Sequence, residues 1–190
     1  MFTRIRIVLF VGLILTLVLA SCGGKAAPAV NGGEGVGEGG GVEAALVTYS
    51  DAAQGFAIGY PGPWTQDKSV TNGVRFVGGD DSMTLEFATL PAGTDAMTYA
   101  QNDVAAVSAA FPSFKQLGLA PSTEVKDAII LGFEASGTSA VTGKSFTAHD
   151  ERYYIPLTNG RIAILTVVGP SNHYDREGVR DIALTLKATK

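Results

Sequence analysis

The chain has one cysteine and two histidines among its 190 residues. A single Cys excludes an intrachain disulfide and a Cys-rich zinc site. Two histidines leave little for acid–base chemistry near pH 7. Positive charge is also scarce, with 14 Lys and Arg against 18 Asp and Glu. The first 21 residues hold Arg4 and Arg6 and no acids, so without them the net charge falls from −4 to −6. A nucleic-acid binder needs a basic face to neutralise phosphates, and none is offered. There is no G-x-S-x-G, no H-E-x-x-H and no P-loop, and Gly137-Thr-Ser139, the nearest fragment to a serine elbow, falls inside a strand pattern. The longest apolar run, Ile7–Ala20, is shorter than the roughly 20 residues that a transmembrane helix needs.

That run is instead the length of a signal-peptide core, and the two arginines supply its basic start. It ends in Leu19-Ala20-Ser21-Cys22-Gly23, which resembles the lipobox of bacterial lipoproteins, whose cysteine is acylated and becomes the new N-terminus. Residues 1–21 are thus expected to be a lipoprotein signal peptide, the alternative being an uncleaved signal anchor with an incidental Cys. Acylation of Cys22, palmitate included, leaves no free thiol. Two or more acyl chains hold a protein stably on a bilayer, since each buried CH₂ contributes about 0.8 kcal/mol.

From Gly23 to Gly41 the chain has nine glycines in 19 residues. With so few large apolar side chains, residues 22–45 are expected to form the lipidated Cys and a flexible tether reaching roughly 25–30 Å. Gly35-Val-Gly37-Glu-Gly39-Gly40 is a literal G-x-G-x-x-G, but no strand precedes it and no helix follows, so it is no dinucleotide site.

Residues 46–190 carry the patterns of a folded domain. Leu46–Ser50 and Phe56–Tyr60 read as a hairpin around Asp51–Gly55, and Pro61-Gly-Pro-Trp64 breaks the second strand. Val74–Val77 and Met83–Phe87 flank Gly78-Gly-Asp-Asp81, with Met83, Leu85 and Phe87 on one face. Met97, Ala100, Val104, Val107 and Phe111 predict a helix, capped by Thr94 or Asp95 and stopped by Pro112. Strands are predicted over Ala128–Thr138, Ser145–Ile155 and Arg161–Val168, the last two joined at Asn159-Gly160. The final strand is apolar on both faces and so should be central. A closing helix is predicted over Asp175–Lys187, with Asp175 and Glu177 at its start and Lys187 at its end. This order predicts an α+β fold, an antiparallel sheet between two outer helices.

Several segments resemble the PsbP-like family, whose founding members are extrinsic subunits of photosystem II. They are Tyr49-Ser-Asp51, Gly55-Phe-Ala-Ile-Gly-Tyr-Pro61 with Trp64, Phe111-Pro-Ser-Phe114, Glu151-Arg-Tyr-Tyr154, and the final helix with Ile182 and Leu186. The resemblance implies an α-β-α sandwich with a central antiparallel sheet, no enzymatic activity, and docking onto membrane complexes, sometimes with bound calcium, manganese or zinc. Attachment to a photosystem does not follow from it.

Within the domain, His149 and Glu151 share one face of a strand about 7 Å apart, a spacing at which both can reach one metal ion. Against this stands a plain solvated strand face, the commoner outcome in antiparallel sheets. Asp80 and Asp81 could offer oxygens to calcium, or simply serve the turn. His173 and Asp175 sit where capping of the last helix is the simpler role. Trp64, beside two prolines, is either an exposed contact for a partner or ligand, or a core ring closing the first hairpin. Tyr153 and Tyr154 alternate, one expected in the core and the other at the surface. Taken together these features lead to the expectation of a non-catalytic, lipid-anchored domain on the extracytoplasmic face of the cell membrane, an adaptor or assembly factor for a membrane protein complex. It needs no cofactor. The alternative is a divalent-metal or small-ligand binding lipoprotein.

Overall fold

The computed structural model describes residues 44–158 and 160–189. The expected leader, Cys22 and the tether as far as residue 43 lie outside the described residues, as does Asn159.

Turn chemistry sets the hairpins. Leu46–Asp51 (β1) and Phe56–Pro61 (β2) pair antiparallel. The Asp51 carboxylate accepts from the amides of Ala53 and Gln54, both at 2.9 Å, and Gly55 closes the turn at φ 76°. Beyond Pro61 lie a short strand, Thr65–Asp67 (β3), and the hairpin of Gly73–Gly78 (β4) with Asp81–Thr89 (β5). Helix α1 spans Ala96–Ala110. Asp95 caps it by accepting from the Thr98 amide at 2.7 Å, and Phe111 ends it in front of Pro112. Four strands follow: Lys115–Pro121 (β6), Ile129–Thr138 (β7), Ser145–Pro156 (β8) and Arg161–Pro170 (β9). Helix α2 (Arg176–Leu184) and a two-residue strand, Lys187–Ala188 (β10), close the chain.

The strands form two sheets rather than the single sheet read from the pattern. One has seven strands in the order β3-β4-β5-β9-β8-β7-β6, every pairing antiparallel. The other is β1-β2-β10. Alternation along the large sheet sorts its side chains into two cores. Val74, Phe76, Met83, Leu85, Tyr153, Leu165 and Val167 pack with β2 and with Val179 and Ile182 of α2. Leu131, Phe133, Tyr154, Ile162 and Ile164 pack with Ala100 and Val107 of α1. The sheet is therefore sandwiched, α1 on one face, α2 and the small sheet on the other. β9 occupies the middle position and is buried almost throughout, as its doubly apolar sequence required.

Four elements differ from the pattern-based reading: the short strands β3 and β10 were not predicted, and α2 and β6 depart from it as follows. The last helix stops at Leu184, not at Lys187, because Thr185 folds back on it. The Thr185 hydroxyl donates to the Ile182 carbonyl at 2.6 Å and accepts from the Gly59 amide at 2.7 Å. Lys187, expected near the C-terminal dipole, pairs instead with Ala57 in β10. β6 was not signalled at all. Its sequence, KQLGLAP, lacks alternation because the strand is an exposed edge with a register shift between Gln116 and Gly118.

Candidate functional site

The chemistry collects on β8, because this strand is buried on both faces. Ala148, His149, Asp150 and Glu151 are consecutive buried residues. Alternation sends His149, Glu151 and Tyr153 towards α2, and Asp150, Arg152 and Tyr154 towards α1.

On the α2 face, the residues that lead into the helix cover His149 and Glu151. The Tyr174 ring lies 4.3 Å from the His149 ring, and Arg176 places Nε 3.1 Å from Glu151 Oε1 and Nη2 3.5 Å from His149 Nε2. The Tyr153 hydroxyl donates to Glu151 Oε2 at 3.2 Å, and His149 Nε2 stands 3.9 Å from Glu151 Oε1. The two residues do share a face, but it is not a solvated one: both are less than one-tenth exposed. A guanidinium already answers the Glu151 charge. Beside them an open cleft of about 350 Å³ is walled by Glu124, Ile130, Glu151, Tyr153, Arg176 and Arg180. Burial pushes the Tyr153 hydroxyl well above the ordinary tyrosine range, the Glu151 carboxylate raising it further, so it stays a donor.

Asp80 and Asp81 are engaged separately. The Asp80 carboxylate accepts from the Ala140 amide at 2.9 Å, tying the β4–β5 turn to the β7–β8 turn. Asp81 points with Met83 to the α2 face, against Gly169, and burial raises its carboxyl to about 6, with the charge of His173 opposing and that of Asp80 adding. Among the described residues no group of three or more His, Cys, Asp or Glu side chains is placed to hold a metal ion. Asp175 caps α2 by accepting from the Gly178 amide at 3.0 Å.

Trp64 is core, 6% exposed, its ring seated on Gly78, so of its two readings the core ring holds and the exposed contact does not. Tyr153 and Tyr154 are both buried, against the expectation that one would reach the surface, because both faces of β8 are covered.

On the α1 face, Arg152 and Tyr154 dock the helix. The Tyr154 hydroxyl donates to Asp103 Oδ2 at 2.9 Å, Arg152 Nη2 lies 3.2 Å from the same oxygen, and Arg152 Nη1 donates to Thr166 at 2.9 Å. Asp150, one position towards the N-terminus on that face, has none of this. It is 0% exposed, and neither carboxylate oxygen accepts a hydrogen bond. Burial raises its carboxyl to about 7, against the lowering effect of His149. Asp150 belongs to the wall of a cleft of about 360 Å³, lined otherwise by residues such as Phe111, Ala135, Phe146, Ala148 and Val168. Its sequence signal was present but indirect: if His149 and Glu151 share one face of a strand, the residue between them must occupy the other.

No family model matches the chain, and no curated protein matches it. Solved structures do. The solution structure of CyanoP, the cyanobacterial PsbP of Synechocystis sp. PCC 6803, is similar over 80% of this chain and 98% of that one, with 17% identity and a TM-score of 0.51. The crystal structure of the Ran-binding protein Mog1p of Saccharomyces cerevisiae is similar over 78% of this chain and 97% of that one, with 10% identity and a TM-score of 0.54. At such identities the likeness is one of fold. The domain has the PsbP-like α+β fold that Gly55-Phe-Ala-Ile-Gly-Tyr-Pro61 and the strand order pointed to.

Proposed function

We propose that the chain is a non-catalytic, lipid-anchored extracytoplasmic domain that docks onto a membrane protein complex as an adaptor or assembly factor. The observation that carries this reading is the order of its parts: a basic start and apolar run, then Cys22, then a glycine-rich stretch, then one PsbP-like domain. A membrane anchor raises the effective concentration of a domain towards membrane proteins. The fold suits such work, since Mog1p, which shares it, is by its own description a Ran-binding protein. The buried polar groups fit the same reading, because His149 and Glu151 pack against Arg176 and Tyr174, and the hydroxyl on Glu151, that of Tyr153, is held as a donor. The metal reading of His149 and Glu151 has less support, because the Arg176 guanidinium already holds the carboxylate and repels a cation.

The anchor is tested by expressing wild type and Cys22→Ala in bacteria fed labelled palmitate. Wild type is expected to carry label and to pellet with membranes, whereas Cys22→Ala loses the label and at least roughly tenfold of its membrane-bound fraction. Unlabelled wild type in the soluble fraction would contradict the anchor. Turnover of any ester, peptide or glycoside by the purified protein, abolished by a single substitution, would contradict the non-catalytic reading.

A further inference from the structure

The cleft on the α1 face combines three features that ligand sites need. Its volume of about 360 Å³ lies within the range of small-molecule sites. Its walls are mainly apolar, with Phe111, Phe146 and Val168 beside the small Ala135 and Ala148. The Phe146 ring lies flush on Gly137, where a Cβ would come within 2.6 Å of it, so a glycine is what lets this wall close down. Its one fully buried acid, Asp150, has no partner for either oxygen, although the neighbouring buried Glu151 is held by both Arg176 and Tyr153. Buried polar groups without partners are uncommon in native folds, and each calls for an explanation.

We propose that this cleft binds a compact amine, an apolar body of about one aromatic ring carrying a single protonated amino group that pairs with the Asp150 carboxylate. The charges around the site fit. Asp80 and Asp81 add negative charge in the same lining and outnumber Arg75, the cation there, whose Nε makes no hydrogen bond but lies 3.6 Å from the Asp67 carboxylate. The charge on the ligand matters because the Asp150 oxygens are closed to solvent, so pairing requires the carboxyl to turn towards the cleft by a rotamer change. A charge-assisted hydrogen bond offsets that rearrangement better than a neutral donor does. A divalent ion is a poorer occupant, since it needs several oxygen ligands and the described residues group no three acids or histidines together.

The test uses the full mature chain, residues 22–190 with Cys22→Ser, and titrates 2-phenylethylamine and its neutral analogue 2-phenylethanol at pH 8, followed by NMR shifts of Phe146 and Ala148. The amine is expected to saturate with a Kd below about 1 mM, in line with small-ligand efficiencies, and to bind at least tenfold more tightly than the alcohol. Asp150→Asn should reduce the amine to the level of the alcohol. Val168→Phe, which fills the cleft and keeps the acid, should weaken both ligands at least tenfold, and decides the matter should Asp150→Asn not fold. Absence of saturation by the amine, equal binding of amine and alcohol, or undiminished amine binding in either folded variant would overturn the proposal.

Discussion

Between pH 5 and pH 8 the thermal midpoint of the protein is expected to fall by roughly 8 °C, and most of that fall should vanish in Asp150→Asn. The cause is a buried carboxyl that prefers its proton. Asp150 is fully buried with no hydrogen-bond partner, and its pKa is raised to about 7 from the 3.8 of a free aspartate. Between those two values the folded chain holds a proton that the unfolded chain releases. Stability is therefore fully present below the unfolded pKa and is lost as pH rises through the folded one. Each pKa unit corresponds to about 1.4 kcal/mol, so Asp150 accounts for about 3 kcal/mol across this interval. For a chain of this size that is roughly 6–12 °C. Asp81, raised to about 6 by burial, adds a smaller loss of the same sign. Differential scanning calorimetry of wild type and Asp150→Asn at matched ionic strength measures the effect. A wild-type midpoint that holds steady or rises over the interval would mean that Asp150 finds a partner in solution.

The second large effect concerns Trp64. Trp64→Ala is expected to destabilise the domain by about 3–5 kcal/mol, the usual cost of emptying a buried aromatic site. Gly78→Ala should cost about 1–3 kcal/mol from the other side, because its methyl would enter the indole ring. The two effects should not add. In the double variant the methyl takes space that the ring has vacated, so the pair should be less destabilised than the sum of the singles. Urea denaturation of the four proteins gives the cycle. A Trp64→Ala chain as stable as wild type would return Trp64 to the surface and to partner binding.

The strand pattern was readable wherever apolar residues alternate along one face or fill both faces. Met83, Leu85 and Phe87 announced β5 by their period of two, and Ile162–Val168 announced a central strand by being apolar on both faces. What residue spacing does not carry is which faces other elements cover. His149 and Glu151 were correctly placed on one face, but their polarity suggested water, and only the packing of Tyr174 and Arg176 over them makes that face interior. The same limit hid Asp150. A lone aspartate in a strand reads as solvent-facing until Phe111, at the end of α1, and the β7–β8 hairpin close around it. β6 and β10 escaped for a different reason: they are edge segments whose pairing is set by backbone hydrogen bonds rather than by any apolar side-chain pattern.

The two sites on β8 divide between structure and recognition. On the α2 face the carboxylate of Glu151 is satisfied, and that cluster fastens the approach to the last helix. On the α1 face Asp150 is unsatisfied and forms part of a cleft. An anchored domain that docked onto a membrane complex and also bound a small amine would join two signals in one chain, and each part can fail without the other.

The most direct test of the adaptor reading is chemical crosslinking in native membranes with tagged wild-type chain and the Cys22→Ala variant, the captured proteins being identified by mass spectrometry. The account predicts one stoichiometric membrane protein complex enriched with wild type and lost, or reduced at least tenfold, with Cys22→Ala. Equal recovery of that complex by both forms would show that the anchor plays no part in docking, and recovery of no membrane protein by the anchored form would contradict the adaptor role itself.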